Sequence, residues 1–438
     1  MRFKAFISAA VVSCPAALSA QALDTVATPV TLTEAIQLAQ RNSLSSIQAR
    51  GNVRTSSAAV KQSYAAFLPT LSVSAGRQQQ SGDRFDTQGN LVPFTGSPTN
   101  YSTGLQSSLQ LFDGGRRFFD VKKSKADEDA AEFGETASRF NIALQVKQQY
   151  YNILAARESQ SAAEAQMEQA TQQLRASSLR LRAGAATLSD SLRSAVALGN
   201  ARLAMLTAQN NLQLANATLT RLVASPRTLT ATASDTIDAR VVIPRLEDLV
   251  PLVDQAPAIE QADAQLASAH AGVRSAKTAF LPTVNMNFNR SGSGLDPQFG
   301  IGDKRYAYNQ NLSFSLNFPL LNGLSREVNV ARAIVSEDVA AASLRDAKYL
   351  ARQTLVQSLG QMRTAQEQVA IQIQSVAAAQ EDLRVQQRRY ELGATTLLDL
   401  LTSQTQLDNA RTALIRARYD YRVAKAQLEA LIGRDLQE

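Results

Sequence analysis

Two aspartates stand at matching points of a chain that is poor in reactive side chains. Asp190 and Asp399 are 209 residues apart, and each lies six residues after a glycine, Gly184 or Gly393. Six residues past a turn glycine is read as about one and a half turns into the helix that returns from it. A carboxylate there is either a solvated surface charge or one member of a ring around an opening. In a ring, copies repel each other, raise their own pKa values and attract cations. The single histidine, His270, lies on an Ala-rich stretch. Without cysteines or clustered carboxylates it completes neither a metal site nor a triad, which leaves it a structural role. Asp113-Gly114-Gly115 reads as a turn and helix cap, because no Lys-Ser/Thr follows as a phosphate loop requires. No enzyme, cofactor or metal is expected.

Composition sets the class of scaffold that must hold these carboxylates. The 438 residues are 45% hydrophobic but only 6% aromatic, with no Trp. Ala, Gln, Leu and Arg dominate, a mixture suited to long thin helix bundles rather than thick cores. The net charge is +7, and its Lys and Arg are spread among Glu, Asp and Gln instead of forming one stripe, so nucleic acid is not an expected partner. Arg2 and Lys4 precede an apolar run from Ala5 to about Ala17, and Ala20-Gln21-Ala22 has the form of a signal peptidase site. Residues 1–22 are therefore expected to be a leader. The one cysteine, Cys14, lies inside it, either removed with the leader or, in a degenerate processing box, lipidated. No other segment offers eighteen uninterrupted apolar residues for a membrane-spanning helix.

Both aspartates belong to a tandem repeat. From Leu407 the positions Leu407, Ala410, Leu414, Ala417, Tyr421, Ala424, Leu428 and Leu431 recur in steps of three and four, a coiled-coil seam over four heptads. The same seam runs through Leu198, Ala201, Met205, Ala208, Leu212, Ala215, Leu219 and Leu222. Ala at alternate seam positions lets another long helix approach closely. Upstream of each seam, stretches without proline predict helices from about Arg116 to Arg182 and from about Ser325 to Glu391, roughly 100 Å long each at 1.5 Å per residue. Thr31 and Glu34 form a capping-box signature opening a helix to about Ala66. Its counterpart starts at Leu246 and is expected to continue past Pro257 to about Ala279. The organisation is thus a first repeat over 23–224, a link over 225–244 and a second repeat over 245–438.

Between the helices the period changes from 3.6 to 2. After Phe67-Leu68-Pro69, Leu71, Val73 and Ala75 alternate with Ser72, Ser74 and Gly76, and the return strand sets Tyr101, Thr103, Leu105, Leu109 and Leu111 against polar neighbours. After Phe280-Leu281-Pro282, Val284, Met286 and Phe288 alternate with Asn285, Asn287 and Asn289. The return strand there carries Tyr306, Tyr308, Leu312, Phe314, Leu316 and Phe318 on one face. Hairpins over 68–112 and 281–318 therefore offer four strands with one apolar and one uncharged polar face. That suits the wall of an outer-membrane barrel; an amphipathic hairpin on a soluble core would alternate as well. Four strands cannot close a barrel and open edges are not tolerated in lipid, so the barrel reading requires several copies.

Together, Leu32-Thr33-Glu34-Ala35-Ile36, the two Phe-Leu-Pro segments, Leu111-Phe112-Asp113-Gly114-Gly115 and the duplicated glycine turns with their trailing aspartates resemble the TolC family of outer-membrane efflux proteins over essentially all of the mature length. The resemblance implies a mostly α fold with a small β part. Long coiled-coil hairpins would form a periplasmic α-barrel, and four strands per chain would contribute to a trimeric twelve-stranded β-barrel in outer-membrane lipid. It further implies passive conduction across periplasm and outer membrane as the exit duct of a tripartite efflux or type I secretion system, with a periplasmic adaptor protein and an inner-membrane transporter as partners. Asp399, Asp190 and Tyr390 match positions of the family's periplasmic entrance gate, and Gly184, Ala185, Gly393 and Ala394 match the hairpin tips on which the adaptor docks. Thr395 stands where some members have arginine and Thr402 where some have a second acid, so the closing salt bridge of those members does not transfer. The competing reading is a secreted trimeric coiled-coil stalk or adhesin that conducts nothing. A general diffusion porin fits poorly, being built almost wholly of strands.

Overall fold

The computed structural model describes residues 27–79, 81–93, 99–232, 245–294 and 307–434. The expected leader with Cys14, Tyr306 and residues 233–244 of the link lie outside them. In chain order the elements are β1 (Thr28–Val30), α1 (Leu32–Asn42), α2 (Leu44–Ala65), β2 (Thr70–Gln79), β3 (Asp83–Phe85), β4 (Leu91–Pro93), β5 (Thr99–Phe112), α3 (Arg116–Arg182), α4 (Leu188–Val223), β6 (Leu229–Ala231), α5 (Leu246–Val253), α6 (Pro257–Lys277), β7 (Thr283–Gly294), β8 (Ala307–Asn317), α7 (Ser325–Glu391) and α8 (Leu397–Ile432). They pack as two compact units. One comprises Met1–Ala39, Val146–Ile237 and Ser375–Tyr419, the other Gln40–Gln145, Asp238–Gln374 and Asp420–Glu438, so each draws on both sequence repeats.

The two long helices, α3 and α7, have 67 residues each and the limits expected from sequence. The helices before the strands do not run unbroken as expected. The first divides at Ser43, which has extended backbone and whose hydroxyl accepts from Ser46 N to cap α2. The second divides before Pro257 because Ala256, like most residues preceding proline, is pushed to an extended ψ of 143°. The capping box at Thr31 and Glu34 is present, with Thr31 N donating to Glu34 Oε2 at 3.0 Å and Glu34 N to Thr31 Oγ1 at 3.3 Å.

In the first unit, Leu198, Ala201, Ala208, Ala215 and Leu219 of the α4 seam are buried, as are Tyr150 and Ile153 of α3. The alanine spacing lets α3 come close enough for Gln149 Nε2 to donate to the Ala215 carbonyl at 2.8 Å. A small parallel sheet, β1 with β6, was not expected from the sequence. It is bolted to α3: the Tyr150 hydroxyl donates to Val30 O and accepts from Thr232 N, and Arg157 reaches Thr230 Oγ1 and the Ala231 carbonyl.

The second unit carries a four-stranded antiparallel sheet in the order β2-β5-β7-β8, so the two hairpins join through β5 and β7. Register places Val73 opposite Leu105, Leu109 opposite Met286, and Met286 opposite Phe314 on one face, with Gln106, Asn289 and Asn311 in line on the other. Leu71, Val73, Phe314 and Leu316 are each at least 64% exposed. The apolar face is therefore bare, which is not how a hairpin seated on a soluble core behaves.

At the strand exits both repeats use an arginine in the same way, and the first adds an aspartate cap. Asp113 is buried and accepts from Gly115 N and Arg117 N, capping α3. Arg117 pairs with Asp113 at 3.0 Å, donates to the Ala66 and Leu111 carbonyls, and lies 4.7 Å from the Phe67 ring centre. Its counterpart Arg326 donates to the Pro319 and Leu320 carbonyls and lies over Phe280. Gly114 has a φ of +70°, and a Cβ there would stand 2.8 Å from Leu281, so only glycine fits.

Candidate functional site at the helix turns

Residues at the ends of α3 and α7 lie in the first unit. Both helices stop by the same mechanism. Gly184 and Gly393 take φ values of +73° and +72°, which non-glycine residues adopt at a cost. Ala185 N then reaches back to Arg180 O, and Ala394 N to Arg389 O, both at 2.8 Å, closing a Schellman-type end. Ala185 and Ala394 are exposed at the turn surface.

The aspartates sit closer to the turn than sequence spacing indicated. Asp190 is the third residue of α4 and Asp399 the third of α8, within the first turn rather than one and a half turns in. Each completes a capping box. Asp190 N donates to Thr187 Oγ1 at 3.2 Å while Thr187 N and Oγ1 donate to the Asp190 carboxylate at 3.2 and 2.8 Å. Asp399 N donates to Thr396 Oγ1, and its carboxylate accepts from Thr396 N at 3.1 Å, Thr396 Oγ1 at 2.6 Å and Thr395 Oγ1 at 2.9 Å. These bonds favour the ionised form: the Thr396 hydroxyl and amide, with the Thr395 hydroxyl, hold the Asp399 carboxyl below its ordinary value. Within one chain the effect is thus opposite in sign to the mutual repulsion expected of a carboxylate ring.

Tyr390 is half-buried, and the Arg180 guanidinium lies 4.8 Å from its ring centre, so the structure ties the two turns together through a cation–π contact. Sequence reading missed Arg180, for which position on a polar helix gives no signal. Tyr390 also packs on a cluster of Leu383, Leu397, Leu400 and Leu407. His270, placed on α6 in the other unit, pairs through Nδ1 with Glu337 Oε1 at 2.8 Å. Among the described residues no group of His, Cys, Asp or Glu could hold a metal, and no helix is long and apolar enough to cross a membrane.

A second apolar stripe went unread in the sequence. On α4, Leu192, Val196, Leu203, Leu206 and Leu214 are exposed beside the buried seam, and on α7 so are Val328, Val335, Val339, Tyr349 and Val356. Steps of four, seven, three and eight along α4, and of seven, four, ten and seven along α7, were the available signal.

The sequence profile described as outer membrane efflux protein matches residues 35–225 and 251–434. The pyoverdine export outer membrane protein OpmQ of Pseudomonas aeruginosa is 25% identical over 402 residues, covering 91% of this chain and 82% of that one. The outer membrane efflux protein BepC of Brucella suis is 24% identical, with 98% and 90% covered. Among solved structures, CusC superposes with a TM-score of 0.79 at 20% identity, covering 95% of this chain and 96% of that one. The outer membrane protein VceC of Vibrio cholerae gives 0.74 at 19%, with 93% and 97% covered.

Proposed function

The chain belongs to the outer membrane efflux protein family, whose members are channels that cross the outer membrane and extend into the periplasm, and from that premise we propose that it acts as a homotrimer gated at its helix turns. The observation that carries the proposal is the bare four-stranded sheet. Its free edges, β2 and β8, run in opposite directions, so β8 of one copy can pair antiparallel with β2 of the next. Three copies give twelve strands with no edge left in lipid, an apolar outside and an Asn-, Gln- and Ser-lined lumen. The exposed stripes of α4 and α7 supply helix faces for the same association. Conduction is passive. An inner-membrane transporter supplies energy and selects the substrate, and a periplasmic adaptor docks at the turns marked by Gly184, Ala185, Gly393 and Ala394.

In this reading Asp399, Asp190 and Tyr390 surround the periplasmic entrance. Three copies of each carboxylate favour cations and disfavour anions, while the Arg180–Tyr390 contact holds neighbouring turns together. The test is single-channel conductance of the detergent-purified protein in planar bilayers. Wild type is expected to give a small, cation-selective conductance; Asp399→Ala and Asp190→Ala are expected to lose selectivity, and Tyr390→Ala to raise conductance severalfold. Unchanged currents in all three variants remove the gate and leave the duct. A folded, membrane-extracted trimer without conductance overturns the duct itself.

A further inference from the structure

The four membrane strands contain only two charged residues, Arg77 on β2 and Arg290 on β7, and no acidic residue. Both fall on the apolar face. Arg77 is in step with Leu71 and Val73, and Arg290 with Val284, Met286 and Phe288. Both also fall toward the loop end of the sheet, the eighth residue of their strands counted from the helices. Seven residues of strand at about 3.4 Å each, tilted about 40°, place them roughly 18 Å above the helix end of the sheet. A guanidinium facing hydrocarbon is costly in mid-bilayer and tolerated at the headgroup level, so these residues mark the outer interface.

Arg290 is held rather than loose. Its guanidinium lies 4.9 Å from the Tyr308 ring centre. That ring lies across Gly292, where a Cβ would stand 2.6 Å from Tyr308 Cε1, so glycine is what lets the tyrosine lie flat against the sheet beside the arginine. Arg290 Nε is shielded and has no hydrogen-bond partner, and neither arginine is ion-paired among the described residues. On β5, Arg77 stands opposite Tyr101 and Arg290 opposite Leu105, four residues apart or about 14 Å along the strand. A cation on the lipid face, fixed by an aromatic ring and without an ion-pair partner among the described residues, can take its counter-ion from the lipid.

We propose that Arg290, seated on Tyr308 over Gly292, and Arg77 form a binding site on the outside of the barrel for the phosphate groups of a phosphorylated outer-leaflet glycolipid. The site rests on the outer-membrane reading of the sheet. It is an annular contact outside the conduction path, and it fixes the depth of the barrel in the bilayer.

The probe is bisphosphorylated lipid A, compared with the same lipid after enzymatic dephosphorylation, bound to the detergent-purified full-length protein and counted by native mass spectrometry. Wild type is expected to retain the phosphorylated lipid at least tenfold better. The Arg77→Gln, Arg290→Gln double variant is expected to lose that preference while keeping wild-type conductance, and the Lys double variant to retain most of it. Gly292→Ala, which displaces Tyr308 but keeps both arginines, is expected to weaken retention severalfold. Equal retention of the two lipids by wild type overturns the proposal even without a folded variant. So does retention within twofold by the Gln variant, or full displacement of the lipid by millimolar inorganic phosphate, which would make this a free-anion site. A wild type that conducts without discriminating sinks the lipid site alone; one that neither needs detergent nor conducts sinks the channel on which it rests.

Discussion

The two glycine turns share a backbone and differ in what covers it. Leu188 and Leu397 are equivalent first residues of their returning helices, yet Leu188 is 64% exposed and Leu397 only 3%. Deeper in, the turns agree again, since Ser194 and Ser403, then Leu198 and Leu407, are buried in both. The divergence goes with an exchange three residues on. The second turn has Leu400, which joins Leu383, Leu397 and Leu407 in a cluster; the first has Ser191, whose hydroxyl lies 3.4 Å from that of Ser178. Without a leucine there, Leu188 stays exposed, and Leu179, Leu192 and Val196 are exposed too. The second turn covers its own Leu397, although Leu392 and Leu398 stay exposed on it. The other presents apolar surface, which is what a docking surface for a separate protein requires.

Removing the cluster should break this difference most severely. Leu400→Ala deletes a buried side chain and leaves a cavity, at an expected cost of about 3 kcal/mol, whereas Leu188→Ala should change stability by less than about 0.5 kcal/mol. Hydrogen exchange of the peptides that begin α8 and α4 measures both. Equal effects would mean that Leu188 is covered in the assembled protein and that the turns are alike after all. The glycines should show the opposite behaviour, because their conformations match. Gly184→Ala and Gly393→Ala are each expected to cost about 1 kcal/mol, and a cost confined to one turn would refute the equivalence of their backbones.

At the strand exits the backbones agree and the asymmetry lies in the residue that adopts them. Gly115 and Leu324 occupy equivalent positions with φ of +84° and +63°, and Leu324 is exposed. The second repeat thus holds a leucine in the left-handed region with little burial in return. Leu324→Gly should gain about 0.5 kcal/mol, the relieved strain being offset in part by the added freedom of the unfolded chain. A loss in thermal melting of the detergent-solubilised protein would show that the leucine is used in contacts with another copy or with lipid.

How much of this was legible in the sequence follows the range of the interactions. The ends of α3 and α7 and the four long strands could be read because proline, glycine and hydrophobic period act locally. The pairing of β1 with β6 could not: three-residue strands about 200 residues apart carry no periodic signal, and their place is set by Tyr150 and Arg157 on another helix. The breaks at Ser43 and Ala256 were in principle readable, since a serine followed by a helix and a residue before proline both favour extended backbone. The aspartates were found by their duplication, but their depth was misjudged. Counting from a glycine ignores the two or three non-helical residues a Schellman end places before the next cap. Exposure of Leu188 against burial of Leu397 depends on Ser191 and Leu400 three residues on, a difference the alignment of the repeats displays but does not rank.

The smallest expected effect is the most discriminating for the gate. Asp399 accepts from Thr395 as well as Thr396, whereas Asp190 has Ala186 at the place of Thr395. The extra hydroxyl stabilises the carboxylate, and a folded-state pKa below the unfolded value of about 3.9 means stabilisation that is complete above that value and lost as pH falls through the folded one. The start of α8 should therefore keep its protection from exchange to below about pH 4, and Thr395→Val should move that midpoint upward. Crowding three carboxylates at a constriction acts in the other sense, raising the pKa and moving the transition upward. Measured on the assembled protein, a midpoint for Asp399 below about 3.9 means the threonine cap dominates and the carboxylates are too far apart to repel strongly. A midpoint above it means that three copies meet closely enough for repulsion to overcome three local hydrogen bonds, which requires a narrow ring.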